Sequence, residues 1–162
     1  MFGLGKKKKT LIDDQNLYVP VSGKVVELTT VSDPVFAQKM MGEGFAVEPT
    51  GGPILAPVSG QVTAAQPHAV GFKRADGLEV LVHIGIDTVS MGGKPFKLLV
   101  QIGDVVNGGD KITEVDWQAI KDAGFPASTM VLITNSKDAL DDFSVNYGSA
   151  EAGKIIGRAQ AK

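Results

Sequence analysis

The 162-residue chain contains two histidines, His68 and His83, and no cysteine. The histidines flank the turn signal Lys73-Arg74-Ala75-Asp76-Gly77 almost symmetrically. If the flanking segments pair as a hairpin with an even-numbered loop, both imidazoles lie on one face. A loop of Ala75-Asp76 sets His68 opposite His83, whereas a loop of Asp76-Gly77, the dipeptide favoured by type I′ turns, sets Val70 opposite His83 with His68 on the diagonal. In either register the two side chains stand roughly 5–8 Å apart at Cβ. An odd-length loop would separate them.

Three chemistries could use such a pair. A metal site needs three or four ligands, and Glu79, Asp87 and Asp33 are the remaining candidates, without a His-x-His or His-Glu-x-x-His spacing to concentrate them; no metal is expected. A hydrolase needs a nucleophile beside one histidine, and neither Ser22-Gly23 nor Ser59-Gly60 lies in a Gly-x-Ser-x-Gly elbow. The third possibility makes one imidazole the nucleophile. With an ordinary pKa near 6.5 the ring is mostly neutral at pH 7 and can attack phosphorus, while the second histidine donates to phosphoryl oxygens.

The strand that carries His83 alternates cleanly. Leu78, Val80, Val82, Ile84 and Ile86 form an aliphatic row suited to a core, and Glu79, Leu81, His83, Gly85 and Asp87 form the other face. On the partner segment Gln66, His68, Val70 and Phe72 share a side, so the histidine face is expected to carry Leu81, Val70 and Phe72. Such a face either packs under a second sheet or forms an apolar docking patch with a reactive group at its centre.

Around this strand, 20 glycines and 8 prolines punctuate short Val/Ile/Leu-rich runs, which points to an all-β chain. Pro-Val-Ser-Gly-Lys-Val at 20–25 returns as Pro-Val-Ser-Gly-Gln-Val at 57–62, predicting two related hairpin units in an antiparallel β-sandwich with internal pseudo-symmetry. Thr129 to Thr134 and Lys154 to Ile156 read as later strands. Two short helices are expected. Ser32 or Asp33 caps one that starts at Pro34 and carries Val35, Phe36, Met40 and Met41; Asp116 caps Trp117 to Ala123.

The length fits one domain, read as a flexible tail over residues 1–16 and a single β-sandwich domain over 17–162. Sixteen Lys and Arg against 18 Asp and Glu leave no basic footprint for nucleic acid. The opening MFGLGKKKKT has its lysines in the wrong order for a secretory signal, and no run reaches the ~18 apolar residues of a membrane-spanning helix, so a cytoplasmic protein is expected. Lys6 to Lys9 offer at most peripheral contact with an anionic membrane.

Residues 77–88, GLEVLVHIGIDT, resemble the signature of the glucose-type IIA component of the bacterial phosphoenolpyruvate-dependent sugar phosphotransferase system. His68-Ala69, Val35-Phe36-Ala37-Gln38-Lys39 with Gly42, and Ala56-Pro57-Val58-Ser59-Gly60 resemble further blocks of that family, and the likeness spans about residues 17–157. The resemblance implies an all-β antiparallel sandwich and a phosphotransferase component without a cofactor. His83 matches the histidine that accepts a phosphoryl group from the phosphocarrier HPr and passes it to a cysteine on a IIB domain; His68 matches its partner in the site. Val35, Phe36, Met40, Met41 and Leu81 match an apolar docking collar, with Asp33 and Asp87 among the acidic residues near it. Gly85 and its neighbouring amides are expected beside the phosphoryl oxygens. Gln66 stands where the family usually has threonine, and is longer but still able to donate a hydrogen bond; Ala64 and Leu81 replace aromatic residues. The alternatives are a regulatory module that binds protein targets on the same surface without onward transfer, and a lipoyl or biotinyl carrier using Lys39. The length suggests a free-standing protein.

Overall fold

The computed structural model describes residues 9–162. The repeated Pro-Val-Ser-Gly motif explains most of its architecture. Fourteen strands are formed among the described residues: β1 (Asn16–Tyr18), β2 (Ser22–Glu27), β3 (Glu43–Gly51), β4 (Ile54–Leu55), β5 (Gly60–Gln66), β6 (Ala69–Lys73), β7 (Glu79–Ile84), β8 (Phe96–Leu98), β9 (Val105–Val106), β10 (Lys111–Val115), β11 (Thr129–Ile133), β12 (Leu140–Val145), β13 (Gly148–Ala150) and β14 (Ile155–Ala161). All pairings are antiparallel. One sheet has the order β13-β2-β3-β11-β7-β6-β5-β9, and two three-stranded sheets have the orders β1-β14-β12 and β4-β10-β8.

The large sheet reads the same from either end once β2 is matched to β5, β3 to β6, β11 to β7 and β13 to β9. The two motif copies hold each other at this pseudo-two-fold. Leu55 N–H donates to Pro20 O at 2.7 Å and Tyr18 N–H to Pro57 O at 2.8 Å, each donor lying two residues ahead of the other copy's proline. Val19 exchanges hydrogen bonds with Gly153 and Lys154, and Ala56 does the same with Gly109 and Asp110. The serines act alike: Ser22 Oγ accepts from Ala152 N–H and Ser59 Oγ from Gly108 N–H, both at 2.9 Å. The valines Val21 and Val58 are fully buried. The glycines lie against a neighbouring strand's backbone, where a Cβ would come within 2.2 Å of Glu48 O at Gly23 and 2.9 Å of Lys73 O at Gly60. Each residue type of the motif therefore has a separate physical task.

Between the sheets lies one large core that includes Leu17, Phe45, Ile54, Phe72, Val80, Val82, Ile84, Ile112 and Val131. Fully burying such a side chain contributes about 1.5–3 kcal/mol. At the amino-terminal edge, Lys9 pairs with Asp110, and Asp14 accepts from Tyr18 Oη and Ser59 Oγ at 2.8 and 2.7 Å. Lys6 to Lys8 lie outside the described residues. Burial pushes the Asp14 carboxyl up, but the hydrogen bonds from Ser59, Tyr18 and the Asn16 amide outweigh it and hold the group below its ordinary value.

The helices are α1 (Pro34–Ala37), α2 (Trp117–Asp122) and α3 (Ser136–Ala139). Asp33 and Asp116 cap the first two as their sequences suggest. The third, begun by Asn135, has no apolar periodicity to announce it.

The hairpin between β6 and β7 takes neither even-looped register. Ala69 lies opposite His83 and Lys73 opposite Glu79, which leaves the odd loop 74–78. Arg74 supplies the reason. Its guanidinium is buried, pairs with Asp76 and donates to Ala159 O in β14 at 2.8 Å, while Arg74 N–H bonds Leu78 O at 2.9 Å. The loop thus folds around a cation tethered to a distant strand. Val70 and Phe72, expected on the histidine face, consequently join Val80 and Val82 in the main core.

Removing one partner of a buried ion pair leaves the other charge uncompensated. Asp76→Ala should lower unfolding free energy by about 3 kcal/mol in urea titrations, and Asp76→Asn by less.

Candidate phosphoryl-transfer site

In β7 the side chains of Val80, Val82 and Ile84 enter the main core, so Leu81 and His83 face the other way. A second, smaller cluster occupies that side: Leu28, Val31, Phe36, Ala46, Ile86, Met130 and Leu132, with Leu81 and Met41 partly buried against it. Helix α1 supplies its cover. Asp33 accepts from Val35 N–H at 2.9 Å and Pro34 starts the turn, which sends Phe36 inward and leaves Val35 outside. Phe36 is buried, and its ring lies 5.1 Å from that of His83.

His68 reaches the same place by a different route. It is not in a strand but in the two-residue Pro67-His68 turn joining β5 to β6, so strand alternation does not apply to it. The turn is tied to β7 by a 2.8 Å hydrogen bond from Ile84 N–H to His68 O. The two imidazole centroids stand 5.2 Å apart with planes at 79°. Proximity was correctly expected, although the odd loop was expected to forbid it.

His83 Nδ1 lies 2.9 Å from Gly85 O. A carbonyl oxygen only accepts, so Nδ1 carries the proton and Nε2 presents a lone pair. Gly85 achieves this by adopting φ +78°, a left-handed conformation that suits glycine and returns the carbonyl toward residue 83. Burial pushes the His83 imidazole below its ordinary pKa; the Gly85 carbonyl opposes this, neighbouring His68 adds to it, and the charges of Asp33 and Asp87 oppose it. Burial likewise lowers His68. Both rings are therefore neutral at pH 7.

Other sequence-based candidates fall around this centre in distinct ways. Val35 and Met40 are exposed, at 41% and 70%, whereas Met41 and Leu81 are half-buried. Phe36 is part of the floor beneath His83 instead of an exposed docking contact. Gly85 is adjacent, but its N–H donates to Ser128 O and that of Ile86 to Pro126 O, so these amides are already engaged and are not open to a phosphoryl group. Gln66 is exposed at the end of β5, and among the described residues no hydrogen bond joins it to His68. Helix α1 stops at Ala37, so Met40 and Met41, expected on it, lie in the turn that follows, where Lys39 takes a positive φ and pairs with Glu43 at 3.1 Å, away from any hairpin tip. Among the described residues no three His, Asp or Glu side chains are grouped to hold a metal ion. Sequence reasoning missed the acceptors at Pro126 and Ser128, which hold the amides that follow His83. Backbone carbonyls carry no side-chain signal.

The family model of the phosphoenolpyruvate-dependent sugar phosphotransferase system, EIIA 1, matches residues 15–139. The chain belongs to this family. It is 42% identical over 140 residues to the glucose-specific EIIA component of Halalkalibacterium halodurans, covering 83% of this chain and 81% of that protein. It is also 49% identical over 142 residues to the glucose-specific EIICBA component of Streptococcus pneumoniae; the match covers 86% of this chain but spans only 19% of that longer protein. The solved structure of glucose permease IIA from Mycoplasma capricolum superposes with a TM-score of 0.78 at 33% identity, covering 91% of this chain and 98% of that one. The EIIA fold is thus the antiparallel sandwich expected from the strand pattern. Among the described residues no helix is long and apolar enough to cross a membrane.

Burial holds both imidazoles below 6.5, so in the window just under that pH the unfolded chain binds more protons than the folded one. Stability should therefore rise as pH increases toward about 6.5 and level off above it. His83→Gln should flatten part of that slope in urea midpoints measured between about pH 5 and pH 7.

Proposed function

We propose that this chain is a phosphohistidine relay of sugar uptake, taking a phosphoryl group from HPr onto His83 Nε2 and passing it to a cysteine of a IIB domain. The observation that carries the reading is the bond from His83 Nδ1 to the Gly85 carbonyl, which leaves Nε2 unprotonated on a ring flanked by His68 and Phe36. Attack by Nε2 forms its bond to phosphorus as the donor's phosphorus–nitrogen bond breaks and the donor imidazole recovers its electron pair. In the second step a thiolate of the acceptor displaces His83, and Nε2 regains its lone pair. The group transferred arrives already activated, so no cofactor is needed.

His68 donates a ring N–H to the phosphoryl oxygens as charge builds on them. The exposed Val35 and Met40, on and just after α1, with Met41 and Leu81 packed against the Phe36 cluster, are the apolar rim that excludes water when a partner docks. Asp33 and Asp87 add negative charge to that rim and steer a basic donor surface. Binding of protein targets on the same rim without onward transfer is not favoured, because the relatives named above are components of the transport system itself. Donor and acceptor meet this chain in the cytoplasm.

Incubation with phosphorylated HPr, followed by mapping of the label, tests the reading. Label should appear on His83, and His83→Ala should take none. His68→Ala should still accept phosphate but pass it to a IIB domain about 10²- to 10³-fold more slowly. Label on another residue, or undiminished onward transfer from His68→Ala, would overturn the assignment.

A further inference from the structure

The backbone that leads into the carbonyl orienting His83 is contacted by a residue outside the histidine pair. Thr88 is fully buried four positions after Ile84, at the start of the 3-10 turn. Its hydroxyl donates to Ile84 O at 2.5 Å. Both backbone groups of Ile84 are thereby engaged, its N–H donating to His68 O and its carbonyl accepting from Thr88. The threonine methyl has a second contact. It lies 2.4 Å from the position a Cβ would occupy on Gly85, so Thr88 Cγ2 fills the space that the glycine leaves empty. Gly85 is then enclosed on three sides: by the Thr88 methyl, by Pro126 O, and by Ser128 O on its own N–H. The Ile84–Gly85 peptide is thus held at both ends, by Thr88 on Ile84 O and by Ser128 O on Gly85 N–H, and the next peptide, which carries the Gly85 carbonyl, is held at its other end by Ile86 N–H on Pro126 O, so that carbonyl cannot swing away from His83 without breaking another contact.

We propose that Thr88 is a positioning residue of the phosphoryl relay: its hydroxyl on Ile84 and its methyl against Gly85 hold the Gly85 carbonyl on His83 Nδ1 and so select Nε2 as the nucleophile. The two functional groups of threonine have separable tasks. The hydroxyl satisfies the buried carbonyl of the residue after His83, and the methyl sets the tilt of the next peptide. Serine retains the first and valine the second. The relay role rests on the function proposed above, whereas the choice of imidazole tautomer does not.

Long-range proton–nitrogen correlation spectra of the unphosphorylated protein read that choice directly. Wild-type His83 should show the Nδ1–H form, and Thr88→Ser should keep it as the major form. Thr88→Val should show a mixture of the two tautomers and, with phosphorylated HPr as donor, accept phosphate about 10- to 100-fold more slowly, with some phosphorus on Nδ1. A Thr88→Val protein that retains the pure Nδ1–H form, or the wild-type rate, would overturn the proposal. If the valine variant loses its dispersed amide spectrum, Thr88→Ala replaces it with the same two readouts and the same overturning results. Should wild-type protein take no phosphate on His83, the relay reading fails, and the tautomer spectra still decide whether Thr88 controls the ring.

Discussion

The hydrogen bond from His83 Nδ1 to the Gly85 carbonyl is the constraint on which the proposed relay depends. An imidazole in water exchanges its proton between two nitrogens. Here the acceptor is a backbone oxygen, which cannot donate in return, so one tautomer is enforced without any ionisable partner. A carboxylate in the same position would also orient the ring, but would favour its protonated form and weaken it as a nucleophile. The carbonyl fixes the nitrogen while leaving burial free to keep the ring neutral.

That arrangement requires a departure from regular strand geometry directly after the histidine. Gly85 and Asp87 both adopt positive φ, at +78° and +64°, with Ile86 between them turned into the second apolar cluster. The aliphatic row that begins at Leu78 therefore splits: Leu78 to Ile84 enter the main core, and Ile86 goes to the opposite side with Phe36 and Met130. A regular strand would have kept Ile86 with its row and pointed the Gly85 carbonyl into the ladder. The local break converts a structural strand into the edge of a site.

The pseudo-two-fold organisation supplies the rigid frame for this break. The two Pro-Val-Ser-Gly copies interlock through backbone hydrogen bonds at the base of the sandwich, while β7 and its symmetry mate β11 lie side by side at the middle of the large sheet. The ladder between them is centred on the Val82–Val131 pair, so the two-fold carries His83 onto Leu132, and the histidine position of one half corresponds to a buried leucine in the other. Only the β7 half presents the histidine, and the helix whose phenylalanine reaches it comes from the other half, between β2 and β3, where the matching β5–β6 connection is the two-residue turn that carries His68. Symmetry builds the scaffold, and its local violation builds the site.

Much of this was legible in the chain itself, because period-two alternation, a capping aspartate before a proline, and a repeated turn motif are local signals. They identified β7, the side of it on which His83 lies, helix α1, and the two related units; the signature around His83 identified the family. The tertiary structure alone decided the hairpin register, since the odd loop exists because Arg74 is held by Ala159, 85 residues away in sequence. It also decided that His68 meets His83 from a turn instead of a strand, and that the amides of Gly85 and Ile86 are engaged by carbonyls of residues 128 and 126. The physical reason is common to all three. Side-chain alternation is set by each residue's own backbone, whereas the direction of a single carbonyl or the length of a loop depends on partners that only the folded chain brings within hydrogen-bonding distance.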